Sequence, residues 1–163
     1  MINVRSYKDF LFESFDDGSI IPGKVYHNSP ILINELGESP MWFSLDLETG
    51  NEYYKNMVFN NDESYLYEGT VSSKIPYLFS KHIMDLFKSR DIDLDDWISD
   101  IVGNPDEDEV LALEGTSALI ENGYDGIIHP DYDPTDPQMD IDVLLIFNPK
   151  RSVTGFKLIK KSS

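Results

Sequence analysis

Apolar positions along the chain recur with two periods, one near two residues and one of three to four. The alternating or β-branched and aromatic stretches at residues 25–27, 41–45 and 65–71 predict strands, with Pro76 closing the last. Tyr53, Tyr54 and Met57 share a helical spacing that predicts a helix over 49–57 behind Thr49 as N-cap. Ser80 precedes Ile83, Met84, Leu86 and Phe87, and residues 93–102 carry Leu94, Trp97, Ile98 and Ile101 at steps of three and four, so each reads as an amphipathic helix on a core. A third helix is expected over about 108–122, stopped by Gly123 in the C′ position. After it come a buried strand at 126–129 and a polar loop over 130–138. Strands at 142–147 and 153–159 flank a turn at Asn148, Pro149 and Lys150. Near the start, Tyr7, Phe10, Leu11 and Phe12 predict a short helix over 6–15, and Asp16, Asp17 and Gly18 supply a hinge. Strands at both ends with helices inserted at about 80–122 indicate an α+β fold rather than a parallel doubly wound sheet. The expected division is an N-terminal helical segment over 1–18 and one domain over 19–163.

Composition narrows the chemistry. A chain of 163 residues can bury roughly 70% of the surface its unfolded form exposes and needs no covalent staple. It has no cysteine, which removes disulfides, thiol nucleophiles and cysteine-ligated metals. No apolar run approaches the ~18 residues that span a bilayer, and the N-terminus lacks a basic-then-apolar signal layout. A soluble, cytoplasmic protein without membrane contact is therefore expected.

Against 13 Lys and Arg stand 30 Asp and Glu, a formal charge of −17, so extended contact with a nucleic-acid backbone is disfavoured. The same charge would suit attraction to a basic protein, and an acidic DNA-mimic inhibitor of a basic host protein is one reading of it. Five basic residues (Lys150, Arg151, Lys157, Lys160 and Lys161) cluster in the final 14 positions, where there is no acid. Asp91, Asp93 and Asp95, and likewise Asp131 and Asp133, alternate as in a calcium loop, but neither run has the Gly at position six or the Glu at twelve that an EF-hand needs. GxxxxGK[ST], GxGxxG and HExxH are all missing, which sets aside P-loop, Rossmann and zincin chemistry.

What remains is a set of short pieces in a definite order: Tyr26, His27, Asn28 and Ser29; then Trp42, Phe43 and Ser44; then Tyr53 and Tyr54; later Gly123 to Gly126 and Leu145 to Pro149. In this order and spacing the chain, from about residue 25 to 159, resembles the ADP-ribosyltransferase superfamily. The likeness is to its His-Tyr-Glu branch, which includes the poly(ADP-ribose) polymerase catalytic domain and small phage and polyvalent-protein transferases. The resemblance implies a split antiparallel β-sheet core with a helical insertion, NAD as substrate, and mono-ADP-ribosyl transfer to a macromolecular acceptor, a host protein. It implies that His27 hydrogen-bonds the nicotinamide-ribose hydroxyl and that the Asn28 main chain holds the carboxamide. Trp42 and Tyr53 would sandwich nicotinamide, and Ser44 would buttress the pocket. Cleaving the nicotinamide–ribose bond develops oxocarbenium character, which is why such a site must orient the ribose and stabilise positive charge.

The chain departs from the family pattern at the acid, where the alignment puts Val143. Asp142 is the candidate in its place, reaching the site if a bulge resets the strand; without one, Asp142 and Asp140 fall on the opposite face. Loss of this acid in the family accompanies mono-ADP-ribosyl transfer or loss of activity, so a catalytically inactive NAD-binding relative is the alternative. Asn28 stands where the family commonly has Gly. Lys24, Lys55 and Lys74 are candidate cations for the NAD phosphates by their proximity to the motifs, while His82 and His129 receive no role. Residues 6–14, SYKDFLFES, resemble the capsid-targeting leaders of proteins packaged in large tailed phages. Those leaders are cleaved after a motif that Leu11, Phe12 and Glu13 fit, which implies packaging in the virion and delivery into a host cytoplasm as a phage effector.

Overall fold

The strand-forming residues assemble into one six-stranded, wholly antiparallel sheet in a computed structural model that describes residues 17–60, 63–102, 107–132 and 140–162. In chain order the elements are β1 (Ser19–Ile20), β2 (Gly23–Ser29), β3 (Met41–Ser44), α1 (Leu47–Phe59), β4 (Tyr65–Val71), β5 (Ile75–Pro76), α2 (Lys81–Ser89), α3 (Leu94–Val102), α4 (Glu107–Ala112), α5 (Glu114–Glu121), β6 (Gly126–Tyr132), β7 (Asp140–Ile146), α6 (Pro149–Ser152) and β8 (Val153–Lys161). The main sheet runs β6-β7-β3-β2-β4-β8, and β1 pairs with β5 in a separate two-stranded ribbon. The fold is α+β, with α2 to α5 between β5 and β6. The proposed N-terminal helix and leader lie outside the described residues.

Pairing strength is uneven across the sheet, and this unevenness positions the site. β2 pairs with β4 at all seven of its residues, and β3 pairs with β7 at all four, from Met41↔Ile146 to Ser44↔Val143. Between β2 and β3 there is a single register pair, Tyr26↔Ser44. The sheet is therefore two well-bonded halves, β8-β4-β2 and β3-β7-β6, joined at one point.

Side-chain alternation sends two cores to opposite faces. On one face Val25, Phe43, Val71, Ile128, Leu144, Ile146 and Val153 pack with Ile20, Ile75 and Tyr77, which the β1–β5 ribbon and the segment after it supply. On the other, Leu145 and Ile127 meet Ile83, Phe87, Trp97, Ile101, Val110 and Leu119 from α2 to α5. Beneath α1, Tyr54 packs with Tyr26 and Leu66. By register, Tyr26, Ser44 and Val143 share a face with Leu145, so α1 covers the β2–β4 half of that face and α2 to α5 cover the β6–β7 half.

Several boundaries differ from those expected. Asp46 rather than Thr49 caps α1: its carboxylate accepts the Thr49 N–H at 2.7 Å and adds two residues to the helix start. The expected single helix over 108–122 is broken at Leu113, whose ψ of 142° is extended, and α5 then lays Gly115 against Trp97, where a Cβ would come within 2.6 Å of the indole. Trp97 donates its Nε1–H to Thr116 at 3.2 Å in the same contact. The turn at 148–150 is the start of α6, with Pro149 at its first position and the Asn148 side chain accepting the Arg151 N–H. β6 continues through Tyr132, beyond the strand expected at 126–129. Ser80 does cap α2, accepting from Ile83 N–H, and Gly123 takes φ 85° after the Asn122 cap of α5.

The first described residues are anchored to the domain through Asp17. Its carboxylate accepts from the Ser19 hydroxyl, from the Tyr124 hydroxyl at 2.8 Å and from Lys74 at 3.3 Å. Burial opposes the charge, yet these donors together hold its pKa down at about 2. Tyr124 in turn is pushed above the ordinary tyrosine range, first by burial and then by Asp17.

The β6–β7 register depends on a close approach at Gly126, where an added Cβ would stand 2.2 Å from the Leu145 carbonyl oxygen. Gly126→Ala should destabilise the protein by about 2–3 kcal/mol in urea unfolding, since the obstacle is backbone and cannot rotate away. A loss below about 0.5 kcal/mol would show that this register is not tightly held.

Candidate functional site

Where β2 and β3 stop pairing, a cavity of about 480 Å³ opens, within the span of roughly 300–1,000 Å³ common for small-molecule sites. Strand β2 lines it with Tyr26, His27 and Asn28, and β3 with Trp42, Phe43 and Ser44. Helix α1 contributes Tyr53, Asn56 and Met57 and its C-cap Asn60, spaced i, i+3, i+4, i+7, which is one stripe of a helix. Its neighbouring positions Gly50 and Tyr54 face the sheet instead and are buried. Val102 at the end of α3, His129 on β6 and Val143 on β7 complete the wall.

The seating of α1 explains why its stripe faces the cavity. Gly50 lets the helix approach β2 so closely that a Cβ there would be 3.0 Å from the Tyr26 Cβ. Asn28 then ties strand to helix, its Nδ2 donating to the Gly50 carbonyl at 2.8 Å, while its Oδ1 is buried with no hydrogen-bond partner among the described residues. Asn28 lies two residues past the last β2–β3 pair and has no β3 residue opposite it. Its backbone is ordinary: among the described residues Asp91 is the only non-glycine with positive φ, so Asn at position 28 carries no left-handed strain.

His27 occupies the seam itself. Its Nδ1 is 2.6 Å from the Trp42 carbonyl, and its ring lies 5.6 Å from that of Phe43. A carbonyl can only accept, so Nδ1 carries the proton and, in the neutral ring, Nε2 is left as an acceptor. Burial pushes the pKa of His27 below the ordinary 6.5, against the hydrogen bond to Trp42, which favours the charged form. The imidazole is thus held neutral, in one tautomer, at physiological pH. Opposite, Trp42 meets His129 edge to face, with ring centroids 6.1 Å apart and planes at 82°.

Of the residues singled out from the sequence, His27, Asn28, Trp42, Ser44 and Tyr53 line this one cavity. Asp142 is not among its lining residues. The β6–β7 register runs unbroken from Tyr132↔Asp140 to Gly126↔Ile146, so no bulge resets the strand. Val143 points to the cavity and Asp142 to the opposite face. Lys24, Lys55 and Lys74 do not line it either; each faces a carboxylate, Glu68 at 3.2 Å, Glu52 at 3.7 Å and Asp17 at 3.3 Å. With Lys24 and Lys55 about two-thirds exposed, their pairs are weak enough, ~0–1 kcal/mol, for a phosphate to compete. Among the described residues that line the cavity there is no carboxylate and no Lys or Arg.

Sequence reasoning missed His129, Asn56, Met57 and Asn60. The α1 residues were reachable by extending the helical stripe from Tyr53, whereas His129 depends on a register set across the 133–139 connection, which no local pattern reveals. Among the described residues no group of three or more His, Asp or Glu is placed to hold a metal, and no helix is long and apolar enough to cross a membrane. Compared with known proteins, the chain matches no family model, no curated protein and no solved structure.

The environment of His27 makes a direct prediction for an NMR titration of the histidine ring protons. The His27 midpoint should fall below 6.5, and because folding favours the neutral ring, the stability it confers is present above 6.5 and is lost as pH falls below it. A midpoint at or above 6.5 would contradict the burial of the ring.

Proposed function

We propose that the chain is an NAD-dependent mono-ADP-ribosyltransferase acting on a macromolecular acceptor, a host protein, and that its sheet is the split antiparallel core of that superfamily. One observation carries the reading: the five residues over positions 27–53 to which the family resemblance gives roles line a single cavity at the break between the two halves of the sheet. In this reading the neutral His27 accepts a hydrogen bond at Nε2 from the nicotinamide-ribose hydroxyl, its Nδ1–H being held by the Trp42 carbonyl. The Asn28 main chain, without a β3 partner, engages the carboxamide. Trp42 and Tyr53 flank the pyridinium, whose positive charge is attracted to aromatic faces, and Ser44 supports the wall between them.

The chemistry these groups favour is loss of a neutral leaving group. The bond between C1′ and the pyridinium nitrogen breaks with both electrons going to nitrogen, nicotinamide leaves uncharged, and the acceptor atom bonds to C1′ as its proton is released to solvent. The absence of a carboxylate from the described lining residues fits a single transfer rather than chain growth, which requires a sugar hydroxyl to be activated repeatedly. The phosphates of NAD would lie outside this uncharged cavity, where Lys24 and Lys55 are exchangeable cations.

A second reading, an NAD-binding relative without turnover, is favoured by Val143 in the cavity wall and by Asp142 on the other face. Incubation of the protein with adenine-labelled NAD and a bacterial lysate, beside calorimetry with NAD alone, separates the two. Transferase action predicts labelled acceptor with wild type and about 100-fold less with His27→Ala, the loss expected when a reacting sugar is misplaced. Binding without label selects the inactive relative, and neither binding nor label rejects both.

A further inference from the structure

Two imidazoles share the cavity, and the proposed chemistry so far uses one. We propose that His129 is the general base of the reaction, taking the proton from the incoming nucleophile; this rests on the transferase reading above. Departing nicotinamide is neutral and needs no acid, so the proton that must move is the one on the nucleophile. When that nucleophile is water, NAD and water give ADP-ribose, nicotinamide and one proton: the C1′–N bond breaks, a C1′–O bond forms, and the proton passes to the His129 ring and on to solvent.

The lining residues leave little choice of base. No carboxylate is among the described residues there, and a phenol hydroxyl such as that of Tyr26 or Tyr53 is a weaker proton acceptor than a neutral imidazole. His27 has its Nδ1 committed to the Trp42 carbonyl and its remaining nitrogen facing the ribose. His129 stands on a different wall, opposite Val143 in the β6–β7 register, and paired residues on one face hold their Cβ atoms about 4.5–5.5 Å apart. It occupies the flank where Val143 itself offers no proton acceptor. The edge-to-face contact with Trp42 places this ring beside one of the two aromatics assigned to nicotinamide, and hence near the bond that breaks.

The test measures nicotinamide release from NAD in water, with steady-state kinetics for wild type, His129→Ala, His129→Gln and His27→Ala, each checked for folding by circular dichroism. A base predicts that kcat for both His129 variants falls about 100-fold, while KM changes by less than about threefold. It further predicts that added imidazole restores turnover to His129→Ala, whose vacated volume can admit it, and not to His27→Ala, where the lost group orients the ribose. Retention of wild-type kcat by either folded His129 variant, or a loss that imidazole does not relieve, overturns the role of His129 while leaving the transferase reading in place. Wild-type protein that binds NAD yet releases no nicotinamide in water overturns the role of His129, with the transferase reading then decided by acceptor labelling, and protein that does not bind NAD overturns both.

Discussion

The hydrogen bond from the His27 ring to the Trp42 carbonyl stands where a sheet would ordinarily place backbone against backbone. β2 and β3 share one register pair, and beyond it a side chain bridges the strands. A gap in a sheet exposes peptide groups that must find partners elsewhere, and buried ones left without them cost about 1–3 kcal/mol each. The imidazole satisfies one such carbonyl and keeps the opening from closing. It also fixes its own tautomer in the act, so the group that holds the seam is already the group best prepared to accept a hydrogen bond from a ligand lying in it.

The rest of the fold can be understood as support for that opening. Each half of the sheet is stiffened independently, by full β2–β4 pairing on one side and by the buried β3–β7–β6 layer on the other. The helices divide in the same way: α1 is drawn onto β2 by Gly50 and Asn28, and α2 to α5 are packed over Leu145 and Ile127. Between these two helical masses the face is left uncovered, and Tyr53, Asn56, Met57 and Asn60 come to line it because Gly50 and Tyr54 take the side of α1 that meets the sheet. Alternation would put His27 and Phe43 on the reverse face from Trp42 and Ser44; they line one cavity because it opens at the seam where the ladder stops.

Much of the architecture was legible locally. Period-two and period-3.6 patterns mark most strands and helices, and Ser80 and Gly123 mark helix ends through their capping chemistry. Errors arose where a distant contact overrode a local signal. Leu113 interrupts a helix that propensity would continue, and the segment that follows packs Gly115 on Trp97, nearly twenty residues earlier in the chain. Asp46 takes the cap from Thr49 because its carboxylate accepts the Thr49 N–H, which puts Thr49 inside the first turn of the helix. Five cavity residues were reached through the family resemblance, which rests on short motifs each held within one strand or helix, and the facing of Asp142 followed from strand parity, whereas the approach of His129 depends on strand register across a connection, which sequence periodicity does not encode.

The central claim is that the seam accepts nicotinamide between Trp42 and Tyr53. Intermolecular nuclear Overhauser effects in the NAD-bound protein test it without relying on turnover. Cross-peaks should connect the nicotinamide ring protons to the Trp42 indole and to the Tyr53 ring. Bound NAD whose nicotinamide protons give cross-peaks to neither ring would contradict the account, whatever activity the protein displays.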